Sequence, residues 1–199
     1  FQDFTGYAIG RDPSVTSYTQ NNSITNVGFY NVGGCYGLIQ EPVDGSGYLA
    51  ETLLTIDNVN LDQALNPTSV KPYIWDLRAS RAINVGTMLI EGTGTAGVTA
   101  AIAFGTDSTV RFEILWFEIV TTLPTYLIQV VSDATNKFYG NQEFTLRIGY
   151  LFGEAKIRFD SQTTAMEAAA FVEFWQYYNS ESVGDIVSFE GSQGRLEVA

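Results

Sequence analysis

Apolar and polar residues alternate with a period of two over much of this chain. In "EFTLRIGYLF", 143–152, Phe144, Leu146, Ile148, Tyr150 and Phe152 share one face while Glu143, Thr145 and Arg147 share the other. That period marks a strand with one side in a core and the other in water. "AKIRFD", 155–160, alternates in the same way after the turn residues Gly153 and Glu154, so the two runs together predict a hairpin. Comparable runs lie at 24–32, 47–56, 69–76, 82–91, 97–104, 109–120, 124–132 and 184–190, separated by Gly, Asn, Asp and Pro. Many short strands at this spacing predict an all-β fold, an antiparallel β-sandwich of jelly-roll type with about 8–10 strands.

One stretch departs from the alternation. "TAMEAAAFVEFWQYY", 164–178, has Thr164 and Glu167 in capping-box register and Met166, Ala170, Phe174 and Tyr178 at helical spacing. This predicts one amphipathic helix near 164–178, with its aromatic face packed over an end of the sheet. "DNVNLDQALN", 57–66, predicts a short helical turn between strands. Residues 1–23 lack a period and are expected to form an extended N-terminal arm, with 24–199 as a single β-sandwich domain. No internal repeat and no linker is visible at the level of letters.

Composition narrows the chemistry. The net charge is -12, from 22 acidic and 10 basic residues, and Arg11 is the sole basic residue in 1–70. Binding to a phosphate backbone or to anionic lipid needs clustered Lys and Arg, so neither direct nucleic-acid binding nor docking on such a membrane is expected. Charged residues are 16% of the chain, below the usual roughly 25%. Asn, Gln, Ser, Thr and Tyr must therefore cover much of the surface. There is one cysteine, Cys35, and no histidine, which removes disulfide frameworks and imidazole chemistry. No apolar run reaches the length of a membrane-spanning helix, so no membrane insertion is expected. Phe1 follows no charged-then-apolar leader, as in a processed form or the ordered part of a longer product.

"EGTGTAGVTAA", 91–101, places Gly92, Gly94 and Gly97 at G-x-G-x-x-G spacing, with Glu113 further on. In a dinucleotide-binding loop the third glycine opens a crossover helix. Here seven residues, "VTAAIAF", separate Gly97 from the next turn signal at Gly105, too few for a crossover of at least about ten. The glycines are expected to form a loop between two strands that contacts a neighbouring subunit. Cys35 sits in the apolar "VGGCYGLIQ" and reads as a small buried hydrophobe.

Paired carboxylates are the remaining enzymatic option. Glu113 and Glu118 are five apart and would point to opposite faces of a regular strand, while Glu51 and Glu143 could pair with either only across strands. Oxygen ligands for calcium are offered by Asp57, Asn60 and Asp62 and by Glu41 and Asp44, in stretches that also suit turns. No catalytic residue, cofactor, metal or small-molecule ligand is therefore assigned. The pattern predicts a non-enzymatic structural subunit that self-assembles into a larger particle, a virion shell, capsid or decoration protein of jelly-roll type. Its expected partners are copies of itself and other structural subunits, in a virion or extracellular setting. A carbohydrate-binding or adhesive β-sandwich module is the alternative, suggested by the 14% aromatic content. An acid-pair glycosidase is a third reading.

Overall fold

The computed structural model describes residues 2–3, 6–11, 21–38, 51–62, 70–78, 80–92, 97–105, 109–119, 124–132, 143–152, 157–161, 168–178, 187–190 and 194–198, with side-chain surroundings given as far as residue 130. Among these residues there are strands and turns but no helix. In chain order the strands are β1 Tyr7–Arg11, β2 Asn22–Phe29, β3 Gly34–Leu38, β4 Glu51–Leu61, β5 Tyr73–Leu77, β6 Ser80–Gly92 and β7 Ala100–Gly105. They continue as β8 Thr109–Ile119, β9 Tyr126–Ser132, β10 Glu143–Phe152, β11 Ile157–Ser161, β12 Ala168–Tyr178, β13 Val187–Glu190 and β14 Gly194–Val198.

The odd-numbered strands form one seven-stranded sheet in the order β1-β3-β5-β7-β9-β11-β13, and the even-numbered strands form the other, in the order β14-β12-β10-β8-β6-β4-β2. Every described pairing is parallel. The chain thus winds as a β-solenoid: one strand in the first sheet, one in the second, then back onto the next rung. This overturns the antiparallel jelly-roll sandwich. Alternation along a strand states which face is buried, but not the direction of its neighbour. A parallel pair needs a long crossover, usually a helix; here a strand of the opposite sheet fills that role. For the same reason the hairpin over 143–160 is replaced by β10 and β11 in different sheets.

The helix over 164–178 is also overturned. Residues 168–178 are β12, paired with β10 through Ala170↔Phe144, Val172↔Leu146 and Phe174↔Ile148, while 164–167 lie outside the described residues. Apolar residues four apart satisfy a period of two as well as one of 3.6, so Ala170, Phe174 and Tyr178 do not distinguish the states. The β-branched and aromatic content of "FVEFWQYY" favours the strand. Residues 57–61, read as the start of a helical turn, end β4 instead. Within the segment read as an arm, Tyr7–Arg11 pairs with the chain's own β3.

Four of the second-sheet strands, β2, β4, β6 and β8, share a bend at which the inward row steps by one residue. Ile24, Ile56, Val85 and Phe112 are buried, the next two residues face outward or are partly covered, and Val27, Val59, Met88 and Leu115 resume the inward row. Asn26 and Asn58 make this bend with φ of 57° and 51°, a left-handed conformation that Asn tolerates better than most residues. Their side chains stack, Asn58 Nδ2 donating to Asn26 Oδ1 at 2.8 Å. A second column uses the same device, where Asn31 Nδ2 donates to Asp3 Oδ1 at 2.6 Å and both residues have positive φ. On the next rung Asp57 Oδ1 accepts the Thr87 N–H at 3.1 Å, over Gly86.

A Cβ on Gly86 would collide with that same Asp57 oxygen. Gly86→Ala is therefore expected to turn the Asp57 carboxylate away and forfeit its exposed bond to Thr87, costing about 0.5–1.5 kcal/mol. Urea denaturation checks this, and an unchanged midpoint would show that the brace contributes nothing.

The core lies between the sheets. Phe29 meets Trp75 edge to face at 5.5 Å between ring centroids, and Phe104 meets Phe112 at 6.2 Å. The first sheet is covered on both faces: all six residues of β7 are buried, as are Ile74, Trp75, Asp76 and Leu77 of β5. Such strands read as continuous apolar runs, as parallel sheets commonly do.

Candidate functional site

The glycine motif is part of the coil. Gly92 ends β6, Gly97 turns with φ 103°, and β7 follows at Ala100 where a phosphate-binding loop would begin a helix. Gly94 lies outside the described residues. The Thr99 and Ala100 N–H groups donate to Pro72 O at 2.7 and 3.2 Å, and Thr99 O accepts from the Tyr126 N–H at 3.0 Å. The Thr99 and Ala100 amides are spent on the neighbouring coil.

The carboxylates considered from sequence are dispersed. Glu51 pairs in register with Ser80 and Glu143 with Ala169. Glu113 is exposed on β8, and Glu118 lies five residues further along the same strand. Five residues of strand still part them by roughly 15 Å, beyond the roughly 5–9.5 Å of glycosidase pairs. The structure does bring Glu91 beside Glu118 on adjacent strands. Sequence reasoning missed that pair because the register, not the spacing, creates it.

Asp57, Asn60 and Asp62 do not converge as calcium ligands: Asp57 braces Thr87, Asp62 is exposed, and the Asp62 N–H bonds Phe29 O at 3.1 Å. No group of three His, Cys, Asp or Glu suited to a metal occurs among the described residues, and Glu41 and Asp44 lie outside them. Cys35 is fully buried, and burial pushes its thiol pKa well above the ordinary value, which leaves it protonated and inert at neutral pH.

Two arrangements remain that depend on the fold. On the first sheet, Asp76 and Arg78 alternate with Trp75 and Leu77, which places them on the face away from the core. Arg78 Nε and Nη2 donate to Asp76 Oδ1 and Oδ2, each at 2.8 Å, and the guanidinium lies 4.9 Å from the Tyr73 ring centroid. Both partners are buried, as is Gln129. Asp76 continues through Ala103, Gln129 and Arg158 to Ser188, one register position per strand. This row has the Asp76–Arg78 ion pair at one end and a further charged residue, Arg158, on the fourth strand along.

On the second sheet, the outer side carries straight rows of in-register positions. One runs Gly28, Asn60, Leu89, Trp116, Phe152, Tyr178; another holds Thr87, Ile114, Tyr150 and Gln176, beyond the stacked Asn26 and Asn58. Neither row contains a charged residue. Ile114 is 40% exposed, and Leu89 and Trp116 are half-buried. The signal in sequence was the pair "ITNV" at 24–27 and "IDNV" at 56–59, the same bend written twice. Aligning on it would have exposed the coil and hence the rows. Comparison with known protein families, with curated proteins and with solved structures finds no match.

Proposed function

We propose that the protein is a non-enzymatic structural module that works by shape and self-association, its coils stacking end to end with copies of itself. What supports this reading is the pairing rule itself: each strand bonds in parallel to the strand two places on. A first coil and a last coil are then matched in polarity, so that contact between copies is head to tail. Head-to-tail contacts that do not close generate filaments. The stacked Asn26–Asn58 and Asp3–Asn31 columns add side-chain register to the backbone ladder. The dispersed carboxylates and the inert Cys35 fit the same reading.

Mass photometry of the purified chain over a concentration series tests it. The expected result is a ladder of species above the 21.9 kDa monomer that lengthens with concentration. A clean monomer at every concentration would sink the proposal.

A further inference from the structure

We infer that the first described coil, β1 with β2, is a docking surface for the last coil of a second copy, with Ile9 of one chain beside Val187 of the next. This rests on the self-association proposed above and assigns it a surface, a polarity and a register.

Burial along the inward columns marks the first coil as an open end. Ile24, Ile56, Val85 and Phe112 share one column, and Ile24 is 8% exposed where the other three are at 2% or less. Val27 is half-buried, while Val59, Met88 and Leu115 above it are closed. In the first sheet Ile9 is half-buried, while Trp75, Ile102 and Ile128 of the same column are fully buried. A terminal coil that faces water alone presents a polar outer face. This one keeps the apolar inward residues of an internal coil.

The register selects the occupant. The Ile9 column can be followed through every strand of the first sheet, by way of Trp75, Ile128 and Ile157, to Val187 on β13. An apolar residue thus stands at both ends of one column whose pairings are all parallel. β13 of a second copy meets β1 with the polarity of an internal rung, so the column continues across the joint. Two first coils could meet only by turning one copy over, which pairs their strands antiparallel and gives a different hydrogen-bond pattern.

Diamide-driven cross-linking of Ile9→Cys and Val187→Cys variants of the 199-residue chain tests this. Neighbouring strands lie about 4.8 Å apart, within the roughly 4.4–6.8 Å between Cα atoms that a disulfide spans. Native Cys35 is buried and stays out of the reaction. Mixing the two single variants is expected to give a covalent dimer, at twice the 21.9 kDa monomer on non-reducing gels, and neither variant alone should give one. A chain with both substitutions should give a covalent ladder. Thermal melts check folding, and Gly10→Cys with Ser188→Cys, one position along the same strands, decides if either first variant does not fold. A dimer from Ile9→Cys alone would overturn the inference, because first coils would then meet each other. It also falls if neither pair cross-links while the unaltered chain still forms its mass ladder, a result that leaves the proposed function standing. An unaltered chain that stays monomeric would overturn both.

Discussion

Arg78→Met is expected to lower folding stability by about 3–5 kcal/mol, because it strands the Asp76 carboxylate in a buried position. The pair is nearly dry, its side chains 8% and 4% exposed, and both carboxylate oxygens are engaged by the one guanidinium. Without Arg78 those oxygens lose two charge-assisted bonds, and water cannot replace them at that exposure. Replacing both charges removes the desolvation cost together with the attraction. The double variant Asp76→Leu with Arg78→Met is thus expected to recover most of the loss, within about 1–2 kcal/mol of the original protein. Guanidinium denaturation of the four proteins of the cycle measures this. If single and double variants are equally destabilised, Arg78 acts by packing on Tyr73 rather than by neutralising Asp76.

Trp75→Ala is expected to cost a further-reaching loss in the core, about 3–5 kcal/mol, whereas Trp75→Phe should cost about 1 kcal/mol or less. Trp75 is fully buried and meets Phe29 edge to face, so truncation leaves a cavity that a β-solenoid, tied by rungs above and below, closes poorly. The indole contributes a second, opposing effect. Its Nε1 is buried with no hydrogen-bond acceptor among the described residues. A donor in that state costs about 1–3 kcal/mol. Phe fills most of the volume without the donor, and the two effects nearly cancel. Equal losses for Phe and Ala, in the same denaturation assay, would show that the N–H carries no penalty.

The inward faces of β4, β6 and β8 could be read from residues alone. Leu54 and Ile56, Ile83 and Val85, and Val110 and Phe112 alternate with partly covered or exposed neighbours, and all six are buried. The bend was readable in principle from Asn26 and Asn58, residues suited to a left-handed turn. It was obscured on later rungs, where Gly86–Thr87 and Glu113–Ile114 occupy the same positions without an asparagine. The spacing hides it too: 32 residues separate Ile24 from Ile56, 29 separate Ile56 from Val85 and 27 separate Val85 from Phe112. A drifting period of that kind leaves only the ITNV and IDNV pair as a repeat in the letters.

The outer rows were not legible for a related reason. Trp116 and Tyr178 are 62 positions apart, and nothing local connects them until β8, β10 and β12 stack in register. The same holds for Glu91 beside Glu118, and it limited every judgement about carboxylate pairs. Asp76 and Arg78 show the converse. They are neighbours on one strand in any fold, but only the covered first sheet makes their pairing a matter of several kcal/mol.

By itself, then, the sequence determined most of the strands, the buried faces of β4, β6 and β8, the acidic balance and the absence of imidazole. These follow from side-chain hydrophobicity and charge, which act over a few residues. The tertiary structure decided the direction of every pairing and the partition of strands between two sheets. It also turned the stretch read as a helix into β12. Those depend on which backbone edge reaches which, and period-two alternation is identical for parallel and antiparallel neighbours.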